Sequence, residues 1–150
     1  MAIFAKVMVA NRGAVAARVL RSLNALGIPS VAVFSDADRD APWLALAGET
    51  AHIGAAPARE SYLDQDRILE AARRANADAI HPGYGFLSEN PGFAGRVEAA
   101  GMRFIGPAPR WIDAMGHKTR ARELAREHGL PVGRGSGVLP PEPYGILRAA

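Results

Sequence analysis

Ile80–Asn90, IHPGYGFLSEN, is the stretch from which the rest of the chain is best read. Ala79–His81 is a short apolar run suited to a buried strand, and it breaks directly into Pro82, Gly83, Tyr84 and Gly85. Proline removes a ladder donor and glycine reaches backbone conformations closed to other residues, so the strand ends there. Asn90-Pro91 then predicts a helix start: the amide side chain accepts from a free N–H, and proline presets φ at a position that needs no donor. The intervening loop also holds His81, Tyr84 and Glu89, more polar chemistry than a connection requires. Taken alone, the residues leave two readings open: a ligand-facing loop, or a plain turn with His81 satisfied inside.

Upstream, Lys6–Ala10 is apolar and β-prone, and Asn11–Gly13 turns the chain. Val15, Ala16, Val19, Leu20, Leu23 and Leu26 recur at helical spacing, and Gly27 stops that helix. Ser30–Phe34 predicts a second strand, and Ala51–Ile53 a short third one. Between them SDADRDAPW, Ser35–Trp43, reads as a loop with little capacity for a core. Asp64–Ala75 is a helix burying Ile68, Leu69 and Ala72. Downstream of the loop, Phe93, Ala94 and Val97 give the next helix its inner face, and Arg103–Ile105 is a last strand closed by Gly106–Pro109. The alternation of strand and helix predicts an α/β fold, a Rossmann-like doubly wound parallel sheet. Loops leaving the carboxyl ends of its strands gather along one edge, the ANRG and HPGYGFLSEN loops among them. After Pro109 the pattern changes. Trp111, Ile112 and Met115 suit a short linking helix, Thr119 is placed to cap another running to Glu127, and Gly129 ends it before a Gly/Pro-rich stretch, Pro131–Gly145.

Composition narrows the function classes. A chain of 150 residues with 49% hydrophobic and 22% charged residues is a folded, water-soluble type able to bury one ordinary core. The apolar N-terminal stretch is broken by Lys6, Asn11 and Arg12, which fits neither a signal peptide nor a spanning helix, so the expectation is a cytoplasmic protein with no membrane partner. With no cysteine there is no disulfide, thiolate metal site or cysteine nucleophile. The net charge of +3 is local: residues 1–113 carry 12 basic and 12 acidic side chains, residues 114–150 six and three. The excess around Lys118, Arg120, Arg122 and Arg126 lacks interleaved aromatics, so a phosphate contact or a solvated helix face explains it as well as a polynucleotide footprint, and no nucleic-acid partner is expected. A nicotinamide site is excluded by the first turn, because the dinucleotide fingerprint needs three glycines and only Gly13 is present. Asp36 alone, after the second strand, reads as a solvated loop carboxylate.

KVMVANRG (Lys6–Gly13), IHPGYGFLSEN and MGHKTRA (Met115–Ala121), in this order and at these separations, resemble the N-terminal region of the biotin carboxylase family, the ATP-using half of biotin-dependent carboxylases. SDADRDAPW, AGETAHIG (Ala47–Gly54), SYL (Ser61–Leu63) and FIGPAP (Phe104–Pro109) extend the resemblance from Lys6 to about Leu139. It implies that residues 1–113 are the Rossmann-like pre-ATP-grasp domain, and that 114–150 are a linker and the truncated beginning of an ATP-grasp domain. It also implies a carbon–nitrogen ligase that uses ATP, with Mg²⁺ neutralising its phosphates, to activate bicarbonate as carboxyphosphate and carboxylate biotin on a carrier domain. Tyr84 and Gly85 then lie on the biotin side of the cleft, with His81 and Glu89 as scaffolding, and Lys118 meets ATP phosphate. His117 stands where the family more often has Asp, and Ala14 where it usually has Glu. The family's catalytic residues lie downstream of residue 150, so these residues alone are expected to catalyse nothing.

The implied partners are the biotin carboxyl carrier domain, the carboxyltransferase, the ATP-grasp and C-terminal domains, and a second copy in a full-length homodimer. The first helix takes part in that dimer contact, where Arg21 matches the family and Ala25 replaces a residue often charged. Gly129–Leu139, GLPVGRGSGVL, lies closer to the urea carboxylase form of this region than to that of acetyl-CoA carboxylases. The alternatives are a non-catalytic nucleotide- or partner-binding module and another ATP-grasp ligase such as a carbamoyl phosphate synthetase, which is not expected to carry HPGYGFLSEN.

Overall fold

A computed structural model describes residues 3–133. Most of the Gly/Pro-rich stretch, including all but the start of Gly129–Leu139, lies outside the described residues. Two compact units divide the chain, one ending at Ile112 and one beginning at Asp113.

In the first unit, five parallel strands, β1 (Val7–Val9), β2 (Ser30–Phe34), β3 (Glu49–His52), β4 (Ala79–His81) and β5 (Arg103–Phe104), form one sheet ordered β3-β2-β1-β4-β5. Helices α1 (Gly13–Ala25), α2 (Gln65–Arg74) and α3 (Pro91–Ala99) supply the crossovers. Chain order reverses between β1 and β4, whose registers pair Val7 with Ala79 and Val9 with His81. The loops after these two strands diverge there, which is where doubly wound sheets place ligand sites. The doubly wound parallel architecture expected from the sequence is therefore present.

The pleat distributes side chains to both faces. Val7, Val9, Ala32 and Ala79 pack with Ala16, Ala17, Leu20 and Leu23 of α1. Met8, Val31, Val33 and Ile80 pack with Ile68, Leu69 and Ala72 of α2 and Phe93, Ala94 and Val97 of α3. Burial on both faces explains why β1, β2 and β4 are largely apolar runs. The expected cap at Asn90 is formed, its side chain accepting from the Phe93 N–H at 2.9 Å, and Asp64, read from the sequence only as a helix start, accepts from the N–H groups of Asp66 and Arg67.

Several expectations are corrected. Ser35–Trp43 is not a coreless loop: Ser35, Asp38 and Trp43 are buried, and Trp43 joins the core beneath α1. Two short 3-10 turns, Asp36–Asp38 and Pro42–Leu46, fold the segment back tightly enough to bury them. Strand β3 begins at Glu49, not Ala51. Its edge position needs backbone partners on β2 but no apolar side chains, so hydropathy does not reveal its start. Leu26, placed on the inner face of the first helix by its spacing, is 69% exposed because the helix ends at Ala25.

In the second unit, α4 (Pro109–Gly116), which begins in the first, leads to α5 (Lys118–Glu127). Thr119 does not cap α5. The cap position is His117, which makes no side-chain cap bond, and Thr119 already lies in the first turn.

Candidate functional site

The site is assembled from the loops that leave β1 and β4. Asn11 follows β1, and its amide is buried. Its Nδ2 donates to the Pro82 carbonyl at 2.7 Å and to the Tyr84 carbonyl at 3.0 Å. Its Oδ1 accepts the Arg12 N–H at 2.9 Å. The crevice that a dinucleotide would enter in this fold is thus crossed by a side chain that ties the two loops together, consistent with the failed glycine fingerprint.

The His81–Asn90 loop takes the conformation its glycines permit. Gly83 and Gly85 both have φ +69, in the left-handed region. At Gly83 a Cβ would lie 2.6 Å from Val15 Cγ1 and 2.7 Å from Asn11 Nδ2, so close packing as well as φ demands glycine. At Gly85 the space is open. Phe86, without that freedom, still sits at φ +46. Its ring stacks on Tyr62 at 5.3 Å between centroids, which offsets part of the conformational cost.

Tyr62 is buried and links this loop to the Asp36–Asp38 turn. Its hydroxyl donates to Asp38 Oδ2 at 2.8 Å and accepts the Ser35 N–H at 3.2 Å. Burial first, and then the Asp38 carboxylate, push the Tyr62 phenol well above its ordinary range. The other Asp38 oxygen meets the Arg12 guanidinium at 2.6 Å, and that guanidinium also lies 5.6 Å from the centre of the Tyr62 ring. Asn11 and Arg12, adjacent in sequence, therefore grip the turn on both sides, Asn11 directly and Arg12 through Asp38 and Tyr62. Sequence reasoning missed this set. Tyr62 and Asp38 lie in segments whose patterning carries no period, and no local signal joins two residues 24 positions apart.

Among the expected site residues, Tyr84 and Gly85 lie at the tip of this turn, with Tyr84 75% exposed. The Tyr84 face is open on one side of a groove of about 460 Å³ lined by Phe4, Val15, Val19, Leu26, Ile28 and Ile105. His81 Nδ1 accepts the Gly83 N–H at 3.0 Å, which requires an unprotonated nitrogen there. Desolvation lowers its pKa below the usual histidine range, so the ring is neutral at pH 7. Glu89 is exposed and has no bonded side-chain partner among the described residues. Asp36 is exposed, its carboxyl held below the usual range by its bonds to Arg39 and His52.

Lys118 belongs to the second unit, where it is exposed as the first residue of α5. That helix has no acidic residue in its first turn and no side-chain cap, so its free N–H groups and the ammonium both suit an anion. Of the neighbouring basic residues, Arg120 pairs with Asp113 at 2.9 Å and Arg122 donates to the Gly133 carbonyl. Part of the local positive charge is thus neutralised or engaged within the unit. No group of three His, Asp or Glu converges among the described residues, so they offer no cage for a metal ion.

Comparisons with known proteins agree with this geometry. The family model described as biotin carboxylase, N-terminal domain, matches residues 3–112. Biotin carboxylase 2 of Bacillus subtilis is 50% identical over 129 residues, 86% of this chain and 29% of that protein. The biotin carboxylase of Allochromatium vinosum is 50% identical over 135 residues, 90% of this chain and 30% of that protein. Among solved structures, the biotin carboxylase domain dimer of Hydrogenobacter thermophilus 2-oxoglutarate carboxylase, in complex with MgADP, ADP and bicarbonate, aligns with a TM-score of 0.91 and 40% identity. That alignment covers 99% of this chain and 32% of that one. The chain thus spans about a third or less of the proteins it matches. A parallel sheet with its strand order reversed at β1/β4, a glycine-framed tyrosine turn at that point and a family match across residues 3–112 together make this chain a member of the biotin carboxylase family, carrying its N-terminal domain.

Proposed function

We propose that this chain is the N-terminal part of an ATP-dependent biotin carboxylase, which converts ATP, bicarbonate and carrier-bound biotin to ADP, phosphate and carboxybiotin. The observation that carries the reading is the turn at Tyr84: an exposed aromatic face whose backbone is held on one side by the buried Asn11 amide and on the other by the stacking of Phe86 on the buried Tyr62. An exposed ring has no packing of its own to fix it, and fixing it through the backbone serves a partner that arrives from outside. Tyr84 and Gly85 face the biotin ureido group, the open space at Gly85 admitting its approach. Lys118 neutralises ATP phosphate at the head of α5, within the beginning of an ATP-grasp domain that starts after the linking helix. Mg²⁺ accompanies the nucleotide, since clustered phosphate charge requires neutralisation.

Catalysis needs the further length that the relatives possess, so residues 1–150 alone turn nothing over. The whole protein works in the cytoplasm with a biotin carboxyl carrier domain and a carboxyltransferase, as a homodimer contacting through α1. Among the described residues no helix is long and apolar enough to cross a membrane. For the acceptor, Gly129–Leu139 makes urea the first candidate to assay, against acetyl-CoA and propionyl-CoA.

The test is ADP release with and without bicarbonate and free biotin. In the full-length protein, Lys118→Ala is expected to raise the KM for ATP, and Tyr84→Ala the KM for biotin, each by about tenfold or more. Bicarbonate-dependent turnover by residues 1–150 alone would overturn the reading.

A further inference from the structure

We propose that Asn11 is a positioning residue for the Tyr84 turn, acting on biotin recognition without touching biotin; the proposal rests on the assignment of Tyr84 to the biotin side. Asn11 has neither of the usual reasons for burying an amide. It caps no helix, since the cap of α1 is Arg12, and it makes no bond to its own strand. Both its N–H groups are directed to carbonyls 71 and 73 residues away, and those carbonyls straddle Gly83. Pro82 has no N–H, so its carbonyl is its only backbone polar group, and the Asn11 amide satisfies it in a buried position.

Tyr84 itself has nothing to hold it by packing, being 75% exposed. Its direction is therefore set by the backbone from residue 82 to 86. On the far side, Phe86 is anchored on Tyr62; on the near side the anchors are the His81 bond to the Gly83 N–H and the two from Asn11. The two Asn11 bonds thus tie the loop after β1 to the loop after β4, and the space beside the amide is one that a Cβ at Gly83 would fill. A preorganised turn meets its ligand without ordering cost, and displacement of about 1 Å is enough to weaken a positioned contact by orders of magnitude.

Asn11→Ala removes the amide without adding charge, and Asn11→Asp keeps its shape while turning a donor into an acceptor facing two carbonyls. Ile68→Val or Ile68→Ala, on the buried face of α2, serves as a control matched in denaturation midpoint. Two readouts are taken: amide hydrogen exchange of Gly83, Tyr84 and Gly85 in residues 1–150, and the KM values for free biotin and for ATP in the full-length protein. Either Asn11 variant is expected to speed exchange across residues 83–85 and to raise the biotin KM by about tenfold, leaving the ATP KM within about twofold. The matched control is expected to change neither. If Asn11 variants and the control behave alike at equal stability, Asn11 is merely structural and the proposal fails. Tyr84→Ala separates the two ideas: an unchanged biotin KM there removes the biotin assignment, while accelerated exchange confined to residues 83–85 in Asn11→Ala still upholds the clamp.

Discussion

Replacing Tyr62 with phenylalanine removes one oxygen from a buried place and leaves the ring stacked on Phe86 and beneath Arg12. Two bonds are lost: the 2.8 Å donation to Asp38 Oδ2 and the 3.2 Å acceptance from the Ser35 N–H. A hydrogen bond to a charged acceptor contributes about 1.5–3 kcal/mol, and stranding a buried N–H costs about 1–3 kcal/mol. Asp38 is not abandoned, because Arg12 at 2.6 Å and the Ser35 hydroxyl at 3.3 Å remain, so the lower half of each range applies. The expected loss is about 2.5–4 kcal/mol. With a urea m-value of about 2 kcal/mol/M, the denaturation midpoint of residues 1–150 falls by about 1–2 M. The same substitution has a signature in alkali. The folded phenol has a raised pKa, so the stability it contributes is complete below the unfolded value near 10 and is lost as pH rises towards the folded one. The gap between wild type and Tyr62→Phe therefore narrows above about pH 10. A midpoint shift under about 0.25 M, or a gap that widens in alkali, would refute the buried Tyr62–Asp38 connection.

Gly83→Ala and Gly85→Ala share the cost of a side chain at positive φ, about 1–2 kcal/mol, but only the first meets Val15 and Asn11. Urea titration is expected to place Gly83→Ala at least about 1 kcal/mol below Gly85→Ala, and equal losses would show that the loop relaxes freely. His81 has a lowered folded pKa, so its contribution is present above the unfolded value near 6.5 and is lost as pH falls through the folded one. Between pH 7 and 5 the wild-type midpoint declines; in His81→Phe the histidine part of that decline is absent, at the cost of about 1 kcal/mol for the unpaired Gly83 N–H. Asn90→Ala removes the cap of α3 and is expected to cost about 1 kcal/mol, whereas Asn90→Asp, which keeps the acceptor, stays within about 0.5 kcal/mol of wild type in thermal melts.

The sequence by itself determined the elements whose local chemistry and burial coincide. Apolar runs at Val7–Val9, Ser30–Phe34 and Ala79–His81 read as strands because they are covered on both faces, and Asn90 marks a helix start because capping needs only near neighbours. The glycine-framed tyrosine turn was legible for the same reason, as positive φ is a property of a single residue. Edge strand β3 was shifted by two residues, since backbone pairing at a sheet edge leaves little mark on hydropathy. What only the tertiary structure decided is the connection between segments. Asn11 meets residues 82 and 84, Arg12 meets Asp38, and Asp38 meets Tyr62, across gaps of 24 to 73 residues. No periodicity records such bonds. They exist because strand order places β1 between β2 and β4, with β3 beside β2, and a buried polar group must find its partner wherever the fold brings one.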